Sequence, residues 1–90
     1  MENRKFIIKQ GYVAREVAGE HLAVPVDSSV GSSIVVLNEV SSLLWEELKT
    51  EKTFDELVNA ILGSYEVSKE EAEADLKEFL MQLIENGLLE

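Results

Sequence analysis

The 90-residue chain has no cysteine, one proline, one histidine, one tryptophan and five glycines. Without cysteine there can be neither a disulfide framework nor a thiolate metal site, which suits a reducing compartment, and the cytoplasm is the expected location. The one histidine, His21, falls in a predicted strand with no serine or cysteine nucleophile arranged beside it. It reads as an ordinary hairpin residue and not as part of a catalytic group. The glycines occur singly, which excludes a phosphate-cradling loop of the P-loop or dinucleotide type. Long apolar runs are also missing. Phe6-Ile7-Ile8 is the longest apolar stretch near the start, far short of a signal-peptide core or the roughly 20 residues that cross a bilayer, so neither export nor a membrane span is expected. Basic side chains are scarce, eight against eighteen acidic ones, for a net charge of −10. The excess lies wholly after Asn38. Such a field repels nucleic acid and anionic lipid, because phosphate contacts supply most non-specific DNA affinity.

What is present is a foldable core. Hydrophobic residues make up 46% of the chain and charged ones 29%, spread along its length. A chain this short buries only about two-thirds of its unfolded surface, so residues 1–90 are expected to form one domain. The hydrophobic period changes near Asn38, which predicts an α+β fold: a strand half followed by a helix half. Tyr12–Val17 and His21–Val26 read as a hairpin turning at Ala18-Gly19-Glu20, with Pro25 confined to a strand end. Asp27–Ser33 is a predicted loop, and Ile34-Val35-Val36-Leu37 a third strand that is apolar on both faces. Asn38 is suited to cap a helix reaching about Lys49, with Val40, Leu43, Leu44 and Leu48 on one face. Trp45, one position off that stripe, reads as a core aromatic before an interface anchor. Thr53–Glu56 and Ser68–Glu71 are capping-box sequences opening two more helices. Phe54, Leu57, Val58, Ile61, Leu62 and Tyr65 form the stripe of the first of these. The second stops at Asn86-Gly87, and Leu88–Glu90 is expected to return against the sheet.

The last helix carries more apolar surface than a core requires. Ala72, Leu76, Phe79, Leu80 and Leu83 form a stripe of about 100°, and Ile84 and Met81 extend it by roughly another 100°, with Lys77 between them. If that edge and the third strand border one cleft, an extended peptide could pair with the strand and rest against Met81 and Ile84, with Lys77 meeting an acidic residue. No chemistry competes with this binding role. Glu70, Glu71, Glu73, Asp75 and Glu78 scatter around the helix and match no EF-hand loop, so they read as a solvated face; neither a metal nor a cofactor is expected, and the chain is expected not to be an enzyme.

Two alternatives come from other functional classes. Three strands and three helices suggest a DNA-binding winged helix, but its recognition helix would carry two lysines and six acidic residues between Lys69 and Glu85. A structural subunit dimerising through the third strand is the other. An acyl carrier is disfavoured, because Asp27-Ser28-Ser29 lies between strands and lacks a following leucine.

Arg15–His21, Val36-Leu37-Asn38-Glu39, Leu44-Trp45-Glu46 and the run from Val67 to Leu88 together resemble the coenzyme PQQ synthesis protein D family, the PqqD-like domains, over about residues 12–89. The resemblance implies a winged helix-turn-helix with an N-terminal three-stranded antiparallel sheet followed by three helices. It also implies a recognition element for ribosomally made, post-translationally modified peptides (a RiPP recognition element). Such a domain binds the leader of a precursor peptide as an added strand and presents it to a modifying enzyme, often a radical SAM protein. On this sequence the implied peptide edge is Ile34, Val35, Val36 and Leu37, and the implied helix wall Lys77, Met81 and Ile84, with Leu80 shared with the core. The net charge favours a neutral or basic leader.

Overall fold

The computed structural model describes residues 4–90. The order is β1 (Lys5–Phe6), β2 (Tyr12–Val17), β3 (Glu20–Pro25), β4 (Val35–Leu37), α1 (Glu39–Glu47), β5 (Lys52–Thr53), α2 (Phe54–Ser64) and α3 (Lys69–Glu85). β2, β3 and β4 form an antiparallel sheet in that order, and β1 pairs with β5 in a separate two-stranded sheet. The chain is thus α+β, with the expected three strands ahead of three helices. Strand limits differ from the sequence reading by one residue: β3 starts at Glu20 and ends on Pro25, and β4 starts at Val35. β1 and β5 were not anticipated; two residues are too few for an alternating pattern to register.

Val17 pairs with Glu20, so only Ala18 and Gly19 turn the hairpin, and both have positive φ (52° and 83°). This is the two-residue connection whose twist matches the flanking strands, and glycine adopts it without strain. Alanine does not, since its Cβ crowds the backbone in the left-handed region. Ala18→Asn should therefore raise stability by about 0.5–1 kcal/mol, read as a higher denaturant midpoint with an unchanged slope.

The helices begin and end where their caps lie. The Asn38 side chain accepts from the Ser41 N–H and the Thr53 side chain from the Glu56 N–H, and in each case the capping residue's own N–H donates back to the side chain of that third helical residue. At α3, Ser68 Oγ accepts from the Glu71 N–H at 3.1 Å. The Glu71 carboxylate makes no return bond among the described residues, so the expected box is only half formed there. α3 stops in a paired C-terminal motif: the Gly87 N–H donates to Ile84 O (3.1 Å) and the Leu88 N–H to Leu83 O (2.9 Å), with Gly87 at φ 73°. These bonds satisfy carbonyls the helix would otherwise leave unpaired.

The Thr53 N–H donates to Glu56 Oε1 at 2.8 Å, and this bond holds the Glu56 carboxyl below its usual pKa. A folded pKa below the unfolded one means that the contribution is complete above the unfolded carboxylate value, about 4.3, and is lost as pH falls through the depressed value. Glu56→Gln should lower the neutral plateau of melting temperature slightly and flatten the acid limb below about pH 4.3, so that the two curves converge in acid.

α2 packs against both α1 and α3, and α1 also packs on β4. Their shared interior holds Leu44, Trp45, Leu48, Leu57, Ile61, Leu76, Leu80 and Leu83, with Val35 and Ala23 from the sheet. Trp45 is a core residue, and the buried side of α1 runs through Ser41, Leu44 and Trp45, while Val40 and Leu43 are half-buried. The buried residues of α3 are Ala72, Leu76, Phe79, Leu80 and Leu83, the stripe its periodicity predicts. Phe6, on β1, is also buried, with the Arg4 guanidinium 5.1 Å from its ring centroid. Beyond β1, the Ile8 N–H donates to Leu48 O (2.9 Å). The C-terminal residues return beside this segment and not against the hairpin sheet: Ile8 bridges Leu89, the Lys9 N–H donates to Leu88 O (2.7 Å) and the Glu90 N–H to Ile7 O (3.0 Å). Among the described residues no helix is long and apolar enough to cross a membrane.

Candidate functional site

β4 is an edge strand. His21, Leu22 and Ala23 of β3 pair with Leu37, Val36 and Val35, and among the described residues no strand lies on its other side. An edge strand turns every second N–H and C=O outward, where another chain can pair with it. Successive side chains point to opposite faces. Val35 and Leu37 are buried, whereas Ile34 and Val36 are 61% and 60% exposed. The double-faced apolar pattern therefore has one face in the core and the other open, beside an open edge.

Asn38 ends the strand and caps α1 at once, leaving no loop between them. Its N–H donates to Ser41 Oγ (2.7 Å), and its Oδ1 accepts from the Ser41 N–H (2.9 Å). This tight junction aligns Val36, Asn38, Val40, Ser41 and Leu44 along one wall of a groove. α3 supplies the other wall with Asp75, Glu78, Phe79 and Gln82. The groove measures about 160 Å³. A cavity of about 150 Å³ takes a benzene ring, whereas pockets for drug-sized ligands start near 300 Å³. The space suits one apolar side chain and is too small for a nucleotide-sized cofactor. Val36, Val40, Leu44 and Phe79 give the groove an apolar patch, Asn38, Ser41 and Gln82 add polar surface, and Asp75 and Glu78, both exposed, complete the lining. Among the described residues the sole ion pair joins Lys49 to Glu46, so neither groove carboxylate is neutralised by a neighbour.

The residues singled out in the sequence divide into three groups. Ile34 and Val36 are exposed, and Val36 lines the groove. Val35, Leu37 and Leu80 are buried in the core, so only the backbone of the first two is open to a ligand. Lys77, Met81 and Ile84 are exposed, the last two at 49% and 40%, but they do not line the groove. At 100° per residue Glu78, Gln82, Asp75 and Phe79 cover one arc of about 100°, on one side of the buried stripe, while Ile84, Lys77 and Met81 lie on the other side. Phe79, at the stripe's groove edge, was the available signal for that wall. Asp75 and Glu78 gave none, since acidic residues on a helix usually face solvent. His21 is exposed, and among the described residues no group of three His, Cys, Asp or Glu side chains is placed to hold a metal.

Residues 20–89 match the family model for coenzyme PQQ synthesis protein D (PqqD). Among solved structures the chain is similar to TbiB1 in complex with the TbiA(beta) leader peptide. That likeness has 28% identity and a TM-score of 0.73, and covers 93% of this chain and 94% of that one. It is also similar in fold to a lasso peptide synthetase B1 complexed with the leader peptide, at 19% identity and a TM-score of 0.72, over 94% of this chain and 96% of that one. No curated protein matches.

Proposed function

Because the chain belongs to the coenzyme PQQ synthesis protein D family, we propose that it is a noncatalytic adaptor that holds the leader segment of a ribosomally made precursor peptide for a modifying enzyme. The observation that carries this reading is the open edge of β4 beside a groove with an apolar patch, sized for one side chain. The likeness to TbiB1 over nearly the whole chain supports it, since that protein was solved with a leader peptide. In this reading the leader adds a fourth strand along 34–37, using the outward backbone groups of β4, and inserts an apolar side chain between Val36 and Phe79. Strand addition draws affinity from main-chain bonds and specificity from pockets for alternate side chains. The helix wall is then Asp75, Glu78, Phe79 and Gln82; the Lys77, Met81 and Ile84 wall implied by the resemblance is the competing version.

The adaptor's effect on the enzyme is concentration. Holding the leader makes the meeting of precursor and enzyme intramolecular, which can raise the effective substrate concentration to the millimolar range with a short tether. The partners are a precursor peptide and a peptide-modifying enzyme, for which the family resemblance suggests a radical SAM protein. We take the 90 residues as one functional unit that works in the cytoplasm.

An amide chemical-shift titration with the short peptide encoded beside this gene tests the reading, and a panel of leader-like peptides serves where no neighbour is evident. Shifts clustered on 34–38, 40–44 and 75–82 are expected. A folded protein with no shifts there for any peptide would defeat it. The exposed Ile34 and Val36 on an open edge also fit self-pairing in a homodimer. Sedimentation at several concentrations separates the two, since a peptide adaptor stays monomeric where a strand-paired dimer does not.

A further inference from the structure

We infer that the groove selects a leader in which an apolar anchor is accompanied, two residues away on the same side of the added strand, by lysine or arginine. The inference deepens the peptide-binding reading and rests on it. The groove has an apolar patch from Val36, Val40, Leu44 and Phe79, uncharged polar surface from Asn38, Ser41 and Gln82, and two acidic side chains, Asp75 and Glu78. Lys77 is absent from the lining and lies on the other side of α3, and among the described residues neither groove carboxylate has a cationic partner. Asn38 Oδ1 and the Ser41 hydroxyl are already bonded to each other and to the cap backbone. Charge at the mouth is therefore of one sign, set by α3 alone.

A chain bearing acidic side chains would bring like charges together at a half-enclosed surface, and like-charge juxtaposition is an effective way of excluding partners. A basic chain meets complementary charge. The reach also fits. Same-side residues of a strand are about 6.7 Å apart, and the long stem of lysine or arginine lies along apolar surface while its head extends to the carboxylates. The net charge of −10 acts in the same direction at longer range, drawing basic segments in and slowing the approach of acidic ones.

The test is to pan random dodecapeptides displayed on phage against the full chain at low salt, then to measure affinities of the winning peptide and its Lys→Glu form. Selected peptides should carry a lysine or arginine excess beside an apolar residue. The Lys→Glu form should bind about three- to tenfold more weakly. That gap should shrink with added salt and narrow in an Asp75→Asn/Glu78→Gln variant. Groove-bound peptides without a basic excess, an unchanged affinity for the Lys→Glu peptide, or a gap that survives in the double variant would each overturn the inference while leaving the groove in place. No enrichment at all, or winners that bind Val36→Asp as well as the unaltered chain, would instead defeat the peptide-groove reading and this inference with it.

Discussion

Trp45→Ala should bring the fold close to the limit of its stability. Truncating a buried tryptophan costs about 3–5 kcal/mol, through lost transfer energy and the cavity left behind. A chain of this length is typically stable by only about 5–13 kcal/mol. Trp45 is 2% exposed and lies among the residues shared by α1, α2 and α3, so no mobile surface segment can collapse into the space. Guanidinium unfolding followed by far-ultraviolet circular dichroism should show the midpoint falling by a large fraction of its value, or no folded baseline. A loss below about 1 kcal/mol, the ordinary size for a surface change, would contradict a core position.

Val36→Asp is expected to weaken leader binding by about 30-fold or more while leaving the melting temperature almost unchanged. The binding loss follows from putting a charge at the centre of the contact, where truncations at hot spots cost about 2 kcal/mol or more. The stability is spared because Val36 is 60% exposed and its neighbours Val35 and Leu37 carry the strand's hold on the core. Met81→Asp and Ile84→Asp serve as the counterpart measurement. They lie outside the groove lining and should change affinity less than about threefold. The reverse pattern, with Val36→Asp neutral and the two α3 variants crippling, would move the helix wall to the Lys77 side. Isothermal calorimetry with the leader found by titration reads all three.

The two walls show where sequence reasoning reaches and where it stops. Ala72, Leu76, Phe79, Leu80 and Leu83 were legible because a 3.6-residue period marks the buried side of a helix from composition alone. The same period assigns residues to an angle about the axis but does not say which flank faces β4. That depends on how α3 sits against α1 and α2, a tertiary fact. An apolar residue was therefore the natural guess for a ligand wall, and Met81 and Ile84 were favoured over Asp75 and Gln82. The caps at Asn38 and Thr53 were legible for the opposite reason: their hydrogen bonds are local, spanning three residues. Phe6 escaped notice because β1 is two residues long and its partner β5 lies 46 positions later, from Phe6 to Lys52.

The joining of Ile8 to Leu89 has a practical corollary for protein engineering. Residues bridged across antiparallel segments lie about 5 Å apart at their Cα atoms. The fold is therefore suited to cyclisation through a short connector, or to grafting into a surface loop of another protein without prising that loop apart. A circular permutant reopened at Ala18-Gly19, where the hairpin has only two turning residues, would keep the β4 edge and both groove walls on uninterrupted chain. It would deliver the same recognition surface from a different point of attachment.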